Sequence, residues 1–142
     1  MKIHIITVGE PKLDYAKSGW HEYLKRLKHY HTVSVTHIAD KHNQPKYLLD
    51  AAARSYKVAL TIEGTQLSSP ELANFLQAHM LESKEISFII GGPDGLQPEV
   101  LAKCDVQLSF SRLTFPHDLA MVILLEALYR ASTIAAGQPY HR

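Results

Sequence analysis

The sequence predicts an α/β domain in which a mostly parallel sheet carries helices on both faces. Short stretches rich in β-branched residues alternate along the whole chain with segments of helical period, and this alternation is typical of three-layer α/β folds. The chain has 142 residues, of which 46% are hydrophobic and 20% are charged. These are the values of an ordinary globular protein, so we expect one domain over residues 1–142.

Five stretches are predicted to be strands because they are short, apolar and rich in Val, Ile and Thr. They cover residues 2–8, 32–38, 57–62, 85–90 and 106–110. Ligands of parallel sheets bind beyond the carboxyl ends of the strands. We therefore expect a site in the loops that follow Ile62, Ile90 and Phe110.

Apolar residues recur at helical spacing over residues 16–27 and again over 72–80, which predicts two amphipathic helices. Ser69 and Pro70 are predicted to be the N-cap and the first-turn proline of the second one. A further helix is expected from Pro45 to Ser55.

The last helix is expected to run from about Pro116 to about Ala136. Gly137 can then adopt the left-handed conformation that ends a helix, and Pro139 prevents its continuation.

Composition excludes several classes of protein. Cys104 is the single cysteine, which rules out an internal disulfide and fits a reducing compartment. The longest apolar run, residues 119–125, is far shorter than the roughly 20 residues of a membrane span. The apolar stretch at residues 3–8 is too short for a secretory signal, so we expect none. No group of His, Cys and acidic residues has metal-site spacing. We expect a cytoplasmic protein without a metal and without a membrane contact.

Charge is unevenly distributed. Residues 1–57 hold ten Lys/Arg against five Asp/Glu, whereas residues 58–142 hold five against nine. The basic half permits a surface for a polyanion such as RNA, and the alternative is a solvated basic helix.

Two loops and the C-terminus carry unusual sequence. The glycine loop, residues 91–95, lets backbone amides approach a ligand, or it is a tight turn after a strand. Residues 110–117 mix apolar and hydroxyl side chains, as in a pocket for a flat heterocycle, or form an ordinary connection. In the last helix, Glu126 and Arg130 are spaced to pair on one face.

Four motifs follow one another in a fixed order: Gly91-Gly92-Pro93-Asp94-Gly95, Leu113-Thr114-Phe115-Pro116-His117, Leu128-Tyr129-Arg130-Ala131 and Pro139-Tyr140-His141-Arg142. Together they resemble the RlmH family of SPOUT methyltransferases. The opening residues 2–9 and the helix segment 22–26 also match, so the resemblance covers the whole chain.

The resemblance implies an α/β fold with a C-terminal trefoil knot, S-adenosylmethionine as cofactor, and a homodimer that completes the site. The implied reaction is methylation of N3 of a pseudouridine in 23S rRNA within the ribosome. Position by position, the resemblance implies cofactor contacts by Leu60, Gly91, Phe110, Ser111, Arg112, Leu113, Thr114 and Phe115. It implies target-nucleotide placement by Tyr140, His141 and Arg142, and further motif positions at His117, Glu126, Tyr129 and Arg130.

Methyl transfer requires that the target nitrogen lose its proton, and His141 is our candidate base. Alternatively, Arg130 or Arg142 stabilises the deprotonated nucleotide and water takes the proton. Phosphates are expected to contact Lys12, Lys17, Lys25, Arg26 and Lys28.

One departure from the family pattern leaves a second function open. Relatives commonly carry arginine where this chain has Met121, and Arg112 is a possible substitute for a lost phosphate contact. A non-catalytic RNA-binding dimer is therefore an alternative. A dinucleotide-dependent oxidoreductase is a third reading, although the glycine loop does not follow the first strand as it does in that class.

Overall fold

The computed structural model describes residues 2–141, and the strands and helices within this range alternate as predicted. In chain order, the elements are β1 (Lys2–Val8), α1 (Asp14–Leu27), β2 (Thr32–Ile38), α2 (Pro45–Ala51), β3 (Tyr56–Gln66), α3 (Ser69–Glu82), β4 (Glu85–Ile90), α4 (Pro98–Lys103), β5 (Val106–Ser109) and α5 (His117–Ala135). A single 3-10 turn, Asp40–His42, follows β2.

The five strands form one sheet in the order β2-β1-β4-β3-β5, and every neighbouring pair is parallel. Lys2, for example, pairs with Thr32 on one side and with Glu85 on the other. Because all strands point the same way, their carboxyl ends meet at one edge of the sheet. The predicted α/β class with a mostly parallel sheet is confirmed.

Helices cover both faces, as expected. On one face α5 packs against both α1 and α3, and the large core there includes Ile3 and Ile5. On the other face α2 and α4 cover a smaller core that includes Ile6 and Val8. The alternating side chains of β1 thus point into two different cores, which explains its nearly continuous apolar sequence.

The helices differ from the prediction at several points. Ser68, and not Ser69, is the N-cap of α3: its hydroxyl accepts from the Glu71 N–H, and the Glu71 carboxylate accepts from the Ser68 N–H. Helix α4 was not predicted, because its six residues bury one side chain, Val100, and are too few to display a period.

The ends of α2, β3 and β5 also differ from the prediction. Helix α2 ends at Ala51, and Arg54 adopts a left-handed φ of 65° that turns the chain into β3. Strand β3 continues past Ile62 to Gln66, whereas β5 ends at Ser109. The predicted left-handed end of the last helix is confirmed, with φ 70° at Gly137.

Within residues 2–141, no helix has both the length and the apolar character needed to cross a membrane. The trefoil knot that the resemblance implies stays a prediction.

Candidate functional site

A cavity of about 460 Å³ opens at the carboxyl edge of the sheet, where three loops meet. Its walls come from the middle of β3 (residues 60–63), from the glycine loop after β4 and from the connection between β5 and α5. These are the loops in which the sequence predicted a site. Of the eight predicted cofactor residues, seven line this cavity, which we call the edge pocket: Leu60, Gly91, Phe110, Ser111, Leu113, Thr114 and Phe115.

Arg112 is the predicted cofactor residue that does not line the edge pocket. Its side chain is exposed, and the backbone around it is held by two local bonds. The Ser111 hydroxyl accepts from the Leu113 N–H at 3.0 Å, and the Ser109 hydroxyl donates to the Ser111 carbonyl at 3.0 Å. This loop presents Leu113, 71% exposed, at the mouth of the pocket and turns Arg112 away from it.

The glycine loop is both a tight turn and a pocket wall. The Gly95 N–H donates to the Gly92 carbonyl at 2.9 Å, and Gly95 has a φ of 79°. A Cβ on Gly91 would lie 2.7 Å from the carbonyl carbon of Gly95, so no other residue fits there without moving the backbone. The two interpretations of this loop are therefore compatible.

The β3 wall depends on an irregularity of the sheet. Pairing of β3 with β5 shifts register between Leu60 and Thr65, both of which face Leu108. The intervening residues bulge toward the edge pocket, which Leu60 lines. Gly64 permits this close approach, since a Cβ there would lie 2.7 Å from the backbone of Leu108.

His117, at the start of α5, also lines the edge pocket. Its Nε2 lies 2.6 Å from the Val8 carbonyl oxygen, which can only accept, so Nε2 carries the proton and a neutral His117 has its lone pair on Nδ1. The next residue, Asp118, is buried and accepts from the Lys12 and Leu13 N–H groups at 2.8 and 2.6 Å. A family motif includes His117, but the sequence did not indicate that His117 contacts Val8. Nor did it indicate that Asp118 contacts Lys12 and Leu13. All these partners are more than a hundred residues away along the chain.

The C-terminal segment lies elsewhere, on the surface formed by α1 and α5. Glu126 is the centre of the contacts there. Its Oε1 is 2.8 Å from both Nε and Nη2 of Arg130, and it accepts from the Tyr140 hydroxyl at 3.2 Å. Arg130 also stacks over the Tyr140 ring at 4.8 Å and donates to Nδ1 of His141 at 3.3 Å. Arg142 lies outside the described residues.

The surroundings of Tyr140 and Arg130 favour the protonated form of both side chains. Burial, the Tyr23 hydroxyl and the Glu126 carboxylate raise the pKa of Tyr140 well above its ordinary value, so that it remains a hydrogen-bond donor near neutral pH. The hydrogen bond to Glu126 raises the pKa of Arg130. The cluster is therefore a charged, hydrogen-bonded anchor for the C-terminus.

The cluster is far from the edge pocket of the same chain. Helix α5 runs from the carboxyl edge, where His117 meets Val8, to the opposite edge, where Ser132 meets His31. Glu126 and Arg130 follow Ala120, which also lines the edge pocket, by six and ten residues. At the rise of an α-helix this separation is roughly 9 to 15 Å. Within the described residues, one copy of the chain therefore does not place Tyr140 or His141 among the residues that line the edge pocket.

The structure also gives the positions of Met121 and of the basic residues that were predicted to contact phosphates. Met121 is fully buried in the large core, so the departure from the family pattern lies in helix packing and not in the wall of the edge pocket. Lys12, Lys17, Lys25 and Lys28 are exposed, and they lie on α1 or next to one of its ends. Arg26 pairs with Glu22 at 2.8 Å and lies over the Tyr129 ring at 5.6 Å.

The described part of the chain contains no group of three or more His, Cys, Asp or Glu side chains that could hold a metal ion. Cys104 is half-buried, and burial raises the pKa of its thiol, which disfavours the reactive thiolate.

Comparisons with known proteins identify a family and full-length relatives. A family described as predicted SPOUT methyltransferase matches residues 1–141. The ribosomal RNA large subunit methyltransferase H of Deinococcus radiodurans is 49% identical, covering 100% of this chain and 99% of its own. The protein of the same name from Carboxydothermus hydrogenoformans is 40% identical over the full length of both chains.

Among solved structures, a tRNA methyltransferase from Aquifex aeolicus superposes with a TM-score of 0.60. The match covers 100% of this chain and 74% of that protein at 15% identity, so it supports the fold alone. The agreement of the family match, the full-length relatives and this fold leads to one conclusion. The chain belongs to the SPOUT methyltransferase family, in the group whose members are named ribosomal RNA large subunit methyltransferase H.

Proposed function

We propose that this methyltransferase transfers a methyl group from S-adenosylmethionine to N3 of a pseudouridine in 23S rRNA, and that it acts on the ribosome as a homodimer. The names of the full-length relatives support ribosomal RNA of the large subunit as substrate. The observation that carries the proposal is the edge pocket, because two of the family's motifs, residues 91–95 and 113–117, meet there beside strand β3.

The residues of the edge pocket fit the cofactor. A volume of about 460 Å³ lies in the range of small-molecule sites. Leu60 and Phe115 offer apolar contacts for an adenine ring, and the backbone of Gly91 and its neighbours approaches without side chains in the way. When bound, S-adenosylmethionine would supply an electrophilic methyl group. The chain's task is then to bind, orient and deprotonate the target.

Deprotonation is assigned to the C-terminal cluster. Arg130 donates to Nδ1 of His141, so the lone pair of a neutral His141 already faces a cation. To act as the base, His141 must leave Arg130. The alternative keeps this contact and uses Arg130 or Arg142 to stabilise the deprotonated nucleotide, with water as proton acceptor.

The pH dependence of the reaction separates these two roles. If His141 is the base, His141→Ala removes the rise of the methylation rate with pH near neutrality. An unchanged pH profile in this variant would exclude His141 and favour the electrostatic alternative.

The homodimer is supported by distance. Glu126 and Arg130, which contact Tyr140 and His141, lie roughly 9 to 15 Å along α5 from Ala120 in the edge pocket of their own chain. The C-terminal segment that completes the pocket is therefore proposed to come from a second copy. In such a dimer each pocket combines the loops of one protomer with Tyr140, His141 and Arg142 of the other.

RNA phosphates are proposed to contact the exposed lysines of the basic half, Lys12, Lys17, Lys25 and Lys28, together with Arg26. Affinity for ribosomes should then fall as salt rises. An affinity that does not depend on salt would exclude this mode of contact.

The test of the whole proposal is transfer of a labelled methyl group from S-adenosylmethionine to ribosomes from a strain that lacks the modification. We expect label at N3 of a pseudouridine in 23S rRNA, and none on ribosomes that already carry the modification. Cofactor binding without transfer would instead identify a non-catalytic RNA-binding dimer. Binding of a dinucleotide in place of S-adenosylmethionine would identify the oxidoreductase.

A further inference from the structure

A second pocket, of about 490 Å³, lies at the same edge of the sheet, between the ends of β1 and β2 and the start of α1. None of the motifs assigned above accounts for it. Its polar lining comes from Glu10, Lys12, Lys17, His37 and Asp40, with Pro11 and Ala39 as apolar neighbours. We call it the lysine pocket.

The lysine pocket and the edge pocket are neighbours in space. Gly9 separates them: a Cβ on Gly9 would lie 3.5 Å from Oδ1 of Asp40, in the lysine pocket, and 3.8 Å from Nε2 of His117, in the edge pocket. A polymer that places one unit at the edge pocket therefore has its adjoining unit within reach of the lysine pocket.

The hydrogen bonds of His37 determine which of its ring nitrogens is available. The Thr7 hydroxyl has one proton and donates it to the Gly9 carbonyl at 2.6 Å. Its 2.6 Å contact with His37 therefore requires Nδ1–H as donor, which leaves the lone pair of a neutral His37 on Nε2. His37 is partly exposed and lines the lysine pocket, and none of its hydrogen bonds with the described residues uses Nε2, so this nitrogen can accept from a ligand N–H.

The charges of the lysine pocket are mixed. Nζ of Lys12 is 4.0 Å from Oδ2 of Asp40, and both side chains are largely exposed, so this ion pair is weak. Lys17 forms no ion pair with the described residues. Two cations can hold a phosphate, while the carboxylates and His37 can accept from hydroxyl and base N–H groups. This set of groups matches a nucleotide better than it matches a bare anion.

From this arrangement we infer that the lysine pocket binds the RNA nucleotide adjoining the methylated one. Lys12 and Lys17 contact its phosphate, and Nε2 of His37 accepts from its base. The inference rests on the proposed function, since it takes the edge pocket to be the place of methyl transfer.

The two pockets each contain a histidine, so the imidazole nitrogens can be used as separate reporters. Uniformly ¹⁵N-labelled protein is titrated first with S-adenosylmethionine and then with uridine 5′-monophosphate, and the ring nitrogens are followed by NMR. We expect the cofactor to shift the signals of His117 and the nucleotide to shift those of His37. The free protein should already contain His37 with its proton on Nδ1 and His117 with its proton on Nε2.

Two lysine variants with the same charge change test the phosphate contact. Lys17→Gln should weaken uridine 5′-monophosphate binding roughly five-fold, the effect of losing one partly solvated charge contact. Lys84→Gln, an exposed lysine between α3 and β4 at the opposite edge of the sheet, should leave it unchanged. Both residues are exposed, so neither substitution should disturb folding.

The possible results separate the inference from the function on which it rests. If the nucleotide leaves His37 unmoved, or shifts His117 instead, the lysine pocket is not a nucleotide site, whatever the cofactor does. Equal weakening by Lys17→Gln and Lys84→Gln would also overturn the inference. If S-adenosylmethionine fails to shift His117, the proposed cofactor site is wrong, and the response of His37 still decides the inference separately.

Discussion

His31 is a histidine whose surroundings oppose its protonation. The Ser132 hydroxyl donates to the Leu128 carbonyl at 2.8 Å, so it must accept from Nε2 of His31 at 2.9 Å. Within the described residues, Nδ1 is then buried without a partner. Burial lowers the pKa of His31 from 6.5 to about 4. A proton added at Nδ1 would leave a charged N–H without a hydrogen bond.

This pKa predicts a loss of stability in mild acid. Because the folded-state pKa is lower than the unfolded one, the unfolded state binds the extra proton first as pH falls. The contribution is complete above pH 6.5 and is lost as pH falls toward about 4. His31→Gln keeps an N–H donor but does not titrate. In urea unfolding, the wild type should lose about 1–2 kcal/mol more than this variant between pH 7.5 and 4.5, a value reduced for partial solvent exposure. Parallel pH curves would contradict this assignment.

Gly91 and Gly92 are adjacent, but the room available for a Cβ atom differs between them. A Cβ on Gly91 meets the backbone of Gly95 at 2.7 Å, whereas a Cβ on Gly92 meets the Val8 side chain at 3.4 Å, an ordinary contact.

Gly91→Ala should therefore displace the glycine loop and weaken S-adenosylmethionine binding by roughly tenfold or more, the effect of an overpacking cost of about 1–3 kcal/mol. Gly92→Ala is the matched control and should change the affinity little. Calorimetric titration measures both, with urea unfolding to verify that the variants are folded. Equal affinities would show that the loop is not part of the cofactor site.

At the scale of the elements, the start of α5 organises the start of α1. Leu13 is the N-cap of α1, but its apolar side chain cannot accept a hydrogen bond from the helix N–H groups. Asp118 instead accepts from the N–H groups of Lys12 and Leu13. One short segment of α5 thus fixes the loop after β1 through Asp118 and lines the edge pocket through His117.

Asp118→Ala should cost about 2–3 kcal/mol of unfolding free energy, because two backbone N–H groups lose a charged acceptor in a mostly buried position. Asp14→Ala removes an exposed acidic residue from the first turn of the same helix and should cost less than about 1 kcal/mol. Urea unfolding of the two variants at neutral pH makes the comparison. A cost of Asp118→Ala no greater than that of Asp14→Ala would exclude the anchoring role.

The helices and strands also show which features of the fold could be predicted from local sequence. The strand starts and the C-terminal glycine of α5 were predictable, because apolar period and left-handed φ are local properties. Helix α4 was not, since six residues give no period. The extension of β3 beyond Ile62 depends on Gly64 lying against β5, a contact with residues more than forty positions away.

At the scale of the whole molecule, the separation of the C-terminal cluster from the edge pocket predicts a site shared between two chains. At a concentration of S-adenosylmethionine well below saturation, the variant with a weakened pocket, Gly91→Ala, should keep roughly a tenth of wild-type activity or less, and the variant with a defective C-terminus, Tyr140→Ala, should be nearly inactive. Mixing and reassembling them should restore about a quarter of wild-type activity, because half of the random dimers contain both and each of these has one intact composite site. No recovery in an assembled dimer would mean that each site is built from a single chain.

The sequence by itself determined the α/β class, the strand positions, the glycine loop and the family motifs, because periodicity, caps and motif order are properties of neighbouring residues. Seven of the eight cofactor residues that the family resemblance implies line the edge pocket, and their contact with the cofactor stays a prediction. The tertiary structure decided what these elements meet. The strand order brings β1 beside β4, so Gly9 lies between two pockets, and the course of α5 carries Glu126 and the C-terminus away from the first of them. A pattern of apolar residues reports which face of an element is buried, but the partner that buries it is selected by packing across the whole chain.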